Sequence, residues 1–212
     1  MKLNLPDSLE NQRDQIAKSI LEAHQIVKDF ASKYGWENFT NESFADHAEI
    51  FATQNDFIAR LEEMYGMEIS GHLPKTVVAS LENRILMAVS PDEYLRIFPQ
   101  GNEEKAFEKL LAHEIGHRLH VRILHGNEEA MGPIWFFEAF AILVAGQFEN
   151  TRIEMSEVGT TISGTERGNY LKYGATLRYL LQFYSLKELV ARAGDENFSK
   201  NLLEELADRE NL

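Results

Sequence analysis

Cysteine is absent from this chain of 212 residues, so no disulfide framework holds it together and thiol usage says nothing about its redox compartment. Basic residues are scarce beside acidic ones, 21 Lys and Arg against 34 Asp and Glu, for a formal net charge of −13. Nucleic-acid binding is driven by clustered cations on phosphate, and no such cluster stands out, which argues against a nucleic-acid partner. The acidic residues are dispersed as on a solvated surface, which keeps the chain soluble and favours basic peptides. No stretch approaches the roughly 18 uninterrupted apolar residues of a membrane span, so no membrane partner is expected. Residues 1–7 also lack the apolar core of a signal peptide. The expected location is the cytoplasm, or outside the cell if a leader has been removed. Internal repeats and low-complexity tracts are missing as well. The 44% of hydrophobic residues suffices for one sizeable core, or for two small lobes around a cleft.

Against this plain background one run stands out: His113-Glu114-Ile115-Gly116-His117. Residues 103–124 read as one helix, with Asn102 as its N-cap and Gly126 as its stop. On such a helix two imidazoles four positions apart lie about 40° apart around the axis and one turn apart along it, close enough to hold one cation jointly. Glu114 falls about 60° from His117. That places a carboxylate beside the metal rather than on it, where it can take a proton from a metal-activated water. The competing reading is two surface histidines on an ordinary amphipathic helix.

Catalytic zinc commonly has three protein ligands and an open position for solvent. The third is expected from the next apolar run, which opens at Pro133 and spans residues 133–148 as a helix. Glu138 is its only ionisable residue. A carboxylate among Trp135, Phe136, Phe140 and Leu143 is costly unless compensated, and a divalent cation compensates it most strongly. A neutral or salt-bridged core glutamate is the alternative. His120 shares the histidine face but lies about 10 Å along the axis from His113, too far for one shared ion; it reads as a residue that lines the cleft or supports a metal-binding histidine, with a purely structural histidine as the alternative. His24, His47, His72 and His125 show no interpretable partner spacing.

The remaining pattern suggests an α+β chain in three parts: a helical extension over residues 1–40, a sheet-containing lobe over 41–126 that ends in the zinc helix, and a helical lobe over 127–212, together one compact unit. Residues 8–33 form a helix with Ile16, Ile20, Ala23, Val27 and Phe30 on one face and Gly35 as its stop. Strands are expected at 48–53, 76–81 and 84–89, with a helix at 55–65. Further helices are expected at 168–184, 186–193 and 195–209. The Thr, Ser and Gly-rich segment 150–167 reads as a mobile loop.

The run His113-Glu114-x-x-His117, followed some twenty residues later by Trp135-Phe136-Phe137-Glu138-Ala139-Phe140-Ala141, resembles the gluzincin zinc metallopeptidases. The likeness is to the thermolysin-like catalytic domain of the aminopeptidase N and peptidase MA-like group, and it covers about residues 75–210. It implies a zincin-like fold, with a small mixed sheet, a mostly helical carboxy-terminal lobe and an active-site cleft between them. It also implies one Zn2+ per chain, held by His113, His117 and Glu138, and peptide or protein substrates. Tyr170-Leu171-Lys172-Tyr173 is similar to the group's Tyr-x-Lys helix, whose tyrosine donates to the oxyanion of the tetrahedral intermediate. Tyr170 is the implied equivalent, with Tyr173 second on nearly the same face; aromatic packing is the other reading of both. Such a donor stabilises the charge that develops on the attacked carbonyl oxygen. Glu82-Asn83 stands where aminopeptidases bind the substrate amine, although a hairpin turn between the two strands is the favoured reading of the pair. The resemblance further implies that a substrate peptide lies along the strand at 84–89 as the cleft edge.

This chain departs from the group in three places. Phe137 stands for the usual Asn, Ala139 for Gly, and no acid follows four residues after Glu138 to orient a ligand imidazole. Backbone carbonyls, Glu154, Glu157 or Glu166 are the substitutes within reach. An inactive zincin that binds peptides or a partner protein is the alternative to an enzyme.

Overall fold

The computed structural model describes residues 1–69, 71, 74–165 and 167–210. His72 and Glu166, considered above, lie outside them. Nine α-helices, four short 3-10 helices and four strands make up the described chain, the α+β class expected.

The sheet begins where no strand was foreseen. β1 (Lys2–Asn4) pairs parallel with β2 (His47–Phe51), which pairs parallel with β4 (Ile85–Val89). β3 (Ala79–Glu82) closes the order β1-β2-β4-β3 as the antiparallel partner of β4. Three residues are too few to display alternation, so β1 has no signature of its own. In β2, by contrast, Ala48 and Ile50 are buried while their neighbours are partly exposed. β4 lies between β2 and β3, and its Leu86, Met87, Ala88 and Val89 are all fully buried, as an interior strand covered on both faces must be. The register joins β3 and β4 through Asn83 and Arg84, both at positive φ, +48° and +63°. That is the geometry of a two-residue turn whose twist suits a hairpin. Arg84 accepts this unfavourable region while its guanidinium grips Asp46 at 2.7 and 3.0 Å.

α1 (Arg13–Lys33) buries Ile16, Ile20, Ala23, Val27 and Phe30, the stripe the 3.6-residue period predicts. That stripe packs against α4 (Ala106–Ile123) and α5 (Ile134–Ala145), so α1 shares one core with both helices. α2 (Gln54–Tyr65) is capped by the Thr53 hydroxyl and stopped by Gly66 at φ +67°. It lies on the sheet face that carries Glu49 and Phe51: Arg60 reaches Glu49 at 2.9 Å, and Phe57 stands edge-on to Phe51. α3 (Pro91–Ile97), not foreseen, starts with the Ser90 hydroxyl as cap and proline in its first turn.

α4 starts later than expected. Its N-cap is Lys105 at φ +58°, not Asn102. α5 starts at Ile134 with Pro133 as its cap. The segment 150–167 is also corrected: it contains α6 (Met155–Ser163), a helix poor in strong helix formers. A reciprocal capping box between Glu154 and Glu157 and the burial of Val158, Thr161 and Ile162 hold it in place. α7 (Tyr170–Leu180), α8 (Leu186–Arg192) and α9 (Phe198–Glu210) complete the chain. α9 packs on the start of α5: Phe198 stacks on Trp135 at an interplanar angle of 4°, and the indole donates to the Ser199 hydroxyl at 3.1 Å. Among the described residues, no helix is long and apolar enough to cross a membrane.

Candidate metal centre

α4 and α5 pack closely because of one residue inside the motif. A β-carbon on Gly116 would stand 3.2 Å from Val144 Cβ and 3.3 Å from Ala141 Cα, so any larger side chain pushes the two helices apart. With hydrogen at that position, the α4 face bearing His113 and His117 meets the α5 face bearing Glu138.

Three ligand atoms converge there. His113 Nε2 lies 3.1 Å from His117 Nε2 and 3.2 Å from Glu138 Oε2, and the third side of the triangle, His117 Nε2 to Glu138 Oε2, is 3.6 Å. Ligands held tetrahedrally at about 2.0–2.1 Å from an ion lie about 3.3–3.4 Å from one another. The observed triangle is therefore the size one small cation requires. His113 and Glu138 are buried, and His117 is half-buried at the edge of an open groove. Burial alone would raise the Glu138 carboxyl, but hydrogen bonds to His113 and His117 outweigh it and hold the group well below the usual carboxylate range. Burial likewise opposes charge on His113, yet Glu138 and Glu114 push that imidazole up. With a divalent cation bound and both imidazoles neutral, the carboxylates of Glu138 and Glu114 together would match its charge.

The orientation of His113 has a source that sequence reasoning missed. Its Nδ1 lies 2.9 Å from Gln147 Oε1, and Gln147 is almost fully buried. An amide oxygen accepts, so Nδ1 carries a proton, and Nε2 is the nitrogen that would give its lone pair to a cation on losing its own proton. Gln147 is placed by the end of α5. Gly146 turns into the left-handed region at φ +64°, and the Gln147 amide donates back to Ile142 O at 3.0 Å. One helix thus supplies both Glu138 and the partner of His113. A glutamine directly after the glycine stop of an otherwise apolar helix was the available signal. Glu154 and Glu157 are occupied elsewhere, in the α6 capping box and, for Glu157, with Lys172 at 2.9 Å.

Glu114 lies beside His113 at the junction of the groove and an adjoining recess. Burial raises its carboxyl, the two histidines pull it down, and Glu138 and Glu82 push it up again. Tyr170 lines both spaces, with its ring edge-on to His113 and centroids 6.3 Å apart. Burial, then the nearby charges of Glu138 and Glu114, push its phenol well up, so it stays a proton donor. Tyr173 does not line the groove; it is 3% exposed and stands edge-on behind Tyr170 as a packing residue. Nor does His120 serve the ligands. Its ring is fully buried, stacks on Phe140 and hydrogen-bonds to nothing among the described residues.

The groove encloses about 560 Å³ and is bordered by Ala79, Ser80, Leu81 and Glu82 of β3. The edge strand beside the site is therefore β3, not the strand at 84–89, because β2 already occupies the far side of β4. Glu82 faces the groove, whereas Asn83 belongs to the turn. The recess, about 80 Å³, is walled by Val77, Val78, Tyr94, Phe98, Leu110 and Phe148. Thr76, His113, Glu114, Gln147 and Tyr170 make the rest of its wall polar, and among the described residues no Lys, Arg or Asp lines it.

Comparison of the chain with known protein families, with curated proteins and with solved structures finds no match.

Proposed function

We propose that this protein is a zinc-dependent hydrolase of peptide bonds with a zincin-like arrangement. His113, His117 and Glu138 would hold the ion. The observation that carries the reading is the triangle of 3.1, 3.2 and 3.6 Å between their ligand atoms, open to a groove where Glu114 stands free of the triangle. When bound, a divalent ion supplies Lewis-acid polarisation and a solvent nucleophile at neutral pH.

The chain's own residues supply the rest. Glu114 accepts the proton of the attacking water and returns it to the leaving amine, as a carboxylate of raised affinity for protons can. The Tyr170 phenol donates to the carbonyl oxygen as negative charge develops there. Gln147 keeps the His113 imidazole in the tautomer that binds metal. β3 ends the sheet, so its outer backbone groups are available to an extended peptide lying along the groove. The recess beside Glu114, apolar on the wall made by Val77, Val78, Phe98, Leu110 and Phe148, would accept a substrate side chain, and Glu82 at the groove edge would accept a free α-amine.

The test is zinc titration followed by peptide cleavage, comparing the parent with Glu114→Gln. Equal zinc content with loss of turnover in the variant is the expected result. A parent that binds zinc but cleaves nothing across a broad peptide library would overturn the hydrolase reading and leave a peptide-binding module.

A further inference from the structure

Behind the metal centre the chain makes a turn held from two sides by charged side chains. After Gly146, Phe148 also enters the left-handed region, at φ +54°, which is unfavourable for a bulky residue. Arg178 on α7 straddles this turn, donating through Nη2 to Phe148 O at 2.7 Å and through Nη1 to Gln147 O at 3.4 Å. From the opposite side Glu103 accepts the Phe148 amide at 3.3 and 3.4 Å, and Lys109 at 2.7 Å holds Glu103 in turn. A planar guanidinium fits two consecutive carbonyls at once; an ammonium serves as a point donor.

We propose that Arg178 and Glu103 are positioning residues for the metal centre: by clamping the Gln147–Phe148 turn they keep the Gln147 amide oxygen on His113 Nδ1 and so aim His113 Nε2 at the cation. Released from the clamp, Phe148 relaxes toward negative φ, the preceding peptide rotates, and the Gln147 side chain leaves its register. The inference rests on the metal reading of His113, His117 and Glu138 and extends it to residues that touch neither ion nor substrate.

Zinc dissociation constants of the full chain, measured by competition with a chromophoric chelator, test it. Arg178→Ala and Gln147→Ala are each expected to weaken zinc binding about 10- to 100-fold, the usual effect of losing a partner of a ligand histidine. Arg178→Lys recovers part of the loss. Because both residues act on one hydrogen bond, the double variant binds zinc no more weakly than Gln147→Ala alone. Losses that multiply in the double variant, or an Arg178→Ala protein that binds zinc as tightly as the parent, overturn the proposal. Should Arg178→Ala fail to fold, Arg178→Lys and Glu103→Gln decide: unchanged zinc affinity in both overturns it, and weakened affinity with intact thermal unfolding supports it. A parent that takes up no zinc removes the metal reading itself, an outcome distinct from a clamp that proves irrelevant to a working site.

Discussion

His120 lies nearly flat on Phe140, with ring centroids 4.2 Å apart and planes 21° apart, and neither ring nitrogen has a hydrogen-bond partner among the described residues. Burial, assisted by nearby His117, pushes its pKa down to about 3, whereas an unfolded histidine titrates near 6.5. Between those values the unfolded chain binds a proton that the folded chain refuses. Stability therefore falls as pH drops from about 6.5 toward about 3. At pH 4.5 the effect of this residue is roughly 2–3 kcal/mol. Urea unfolding of the metal-free protein at pH 7 and 4.5 measures it: the parent is expected to lose about that much more stability than His120→Leu. Equal losses would remove His120 as the source.

Glu138→Gln keeps the shape of the proposed third ligand and discards its charge. Zinc affinity should fall by more than the roughly 10- to 100-fold typical of outer partners. A ligand that binds only the folded state at about 100 times its dissociation constant stabilises by about 2.7 kcal/mol. Added zinc should accordingly raise the parent's Tm by several degrees and leave that of Glu138→Gln nearly unmoved. An equal rise in both would show that the ion binds elsewhere.

Gly116→Val tests the close approach of the two helices. Its extra carbons meet Val144 and the Ala141 backbone where a β-carbon alone is already at 3.2–3.3 Å. Overpacking of this kind costs typically about 1–3 kcal/mol. Since α4 and α5 carry opposite sides of the ligand triangle, zinc affinity should drop along with stability. Gly116→Ala should show the same changes in milder form, and an unaffected zinc affinity in both variants would contradict the coupling.

Tyr170→Phe deletes a single oxygen. If the phenol steadies a developing oxyanion, kcat should fall about a hundredfold or more, near 3 kcal/mol, with KM and zinc content little changed. The matching Tyr173→Phe variant should be close to the parent in activity, since that ring packs behind the groove. Equal losses in the two variants would point to a packing role for both.

The recess of about 80 Å³ is roughly half the ~150 Å³ of an engineered apolar cavity that holds benzene. Peptides offering Val or Leu to this recess should be cleaved faster than those offering Trp, Asp or Lys. Phe98→Ala enlarges the space and should shift preference toward Phe. A parent that favours acidic side chains there would rule out this use of the recess.

Some of this site was legible in the residues and some was not. Glu138 could be singled out because it is ionisable in the middle of an apolar helix, and that isolation carries information without coordinates. Gln147 left only its place after a glycine stop as a mark, because its role depends on a left-handed turn at Gly146 delivering an amide to an imidazole 34 residues earlier. His120 looked like a site residue because it shares a helical face with His117; only the packing of α5 showed Phe140 covering it. β1 and α6 were invisible for a related reason: three strand residues and a Thr- and Gly-rich helix carry weak local preference and form because neighbours bury them.

Local periodicity by itself determined that His113 and His117 share one face of a helix with Glu114 beside them, since the pitch of an α-helix follows from backbone geometry alone. Patterning likewise determined the apolar helix that bears Glu138. Tertiary structure alone decided that these two helices touch at Gly116, that β3 rather than β4 borders the groove, and that Gln147 reaches His113. Each of those outcomes depends on how closely distant surfaces pack, and packing is a property of the whole core rather than of any segment.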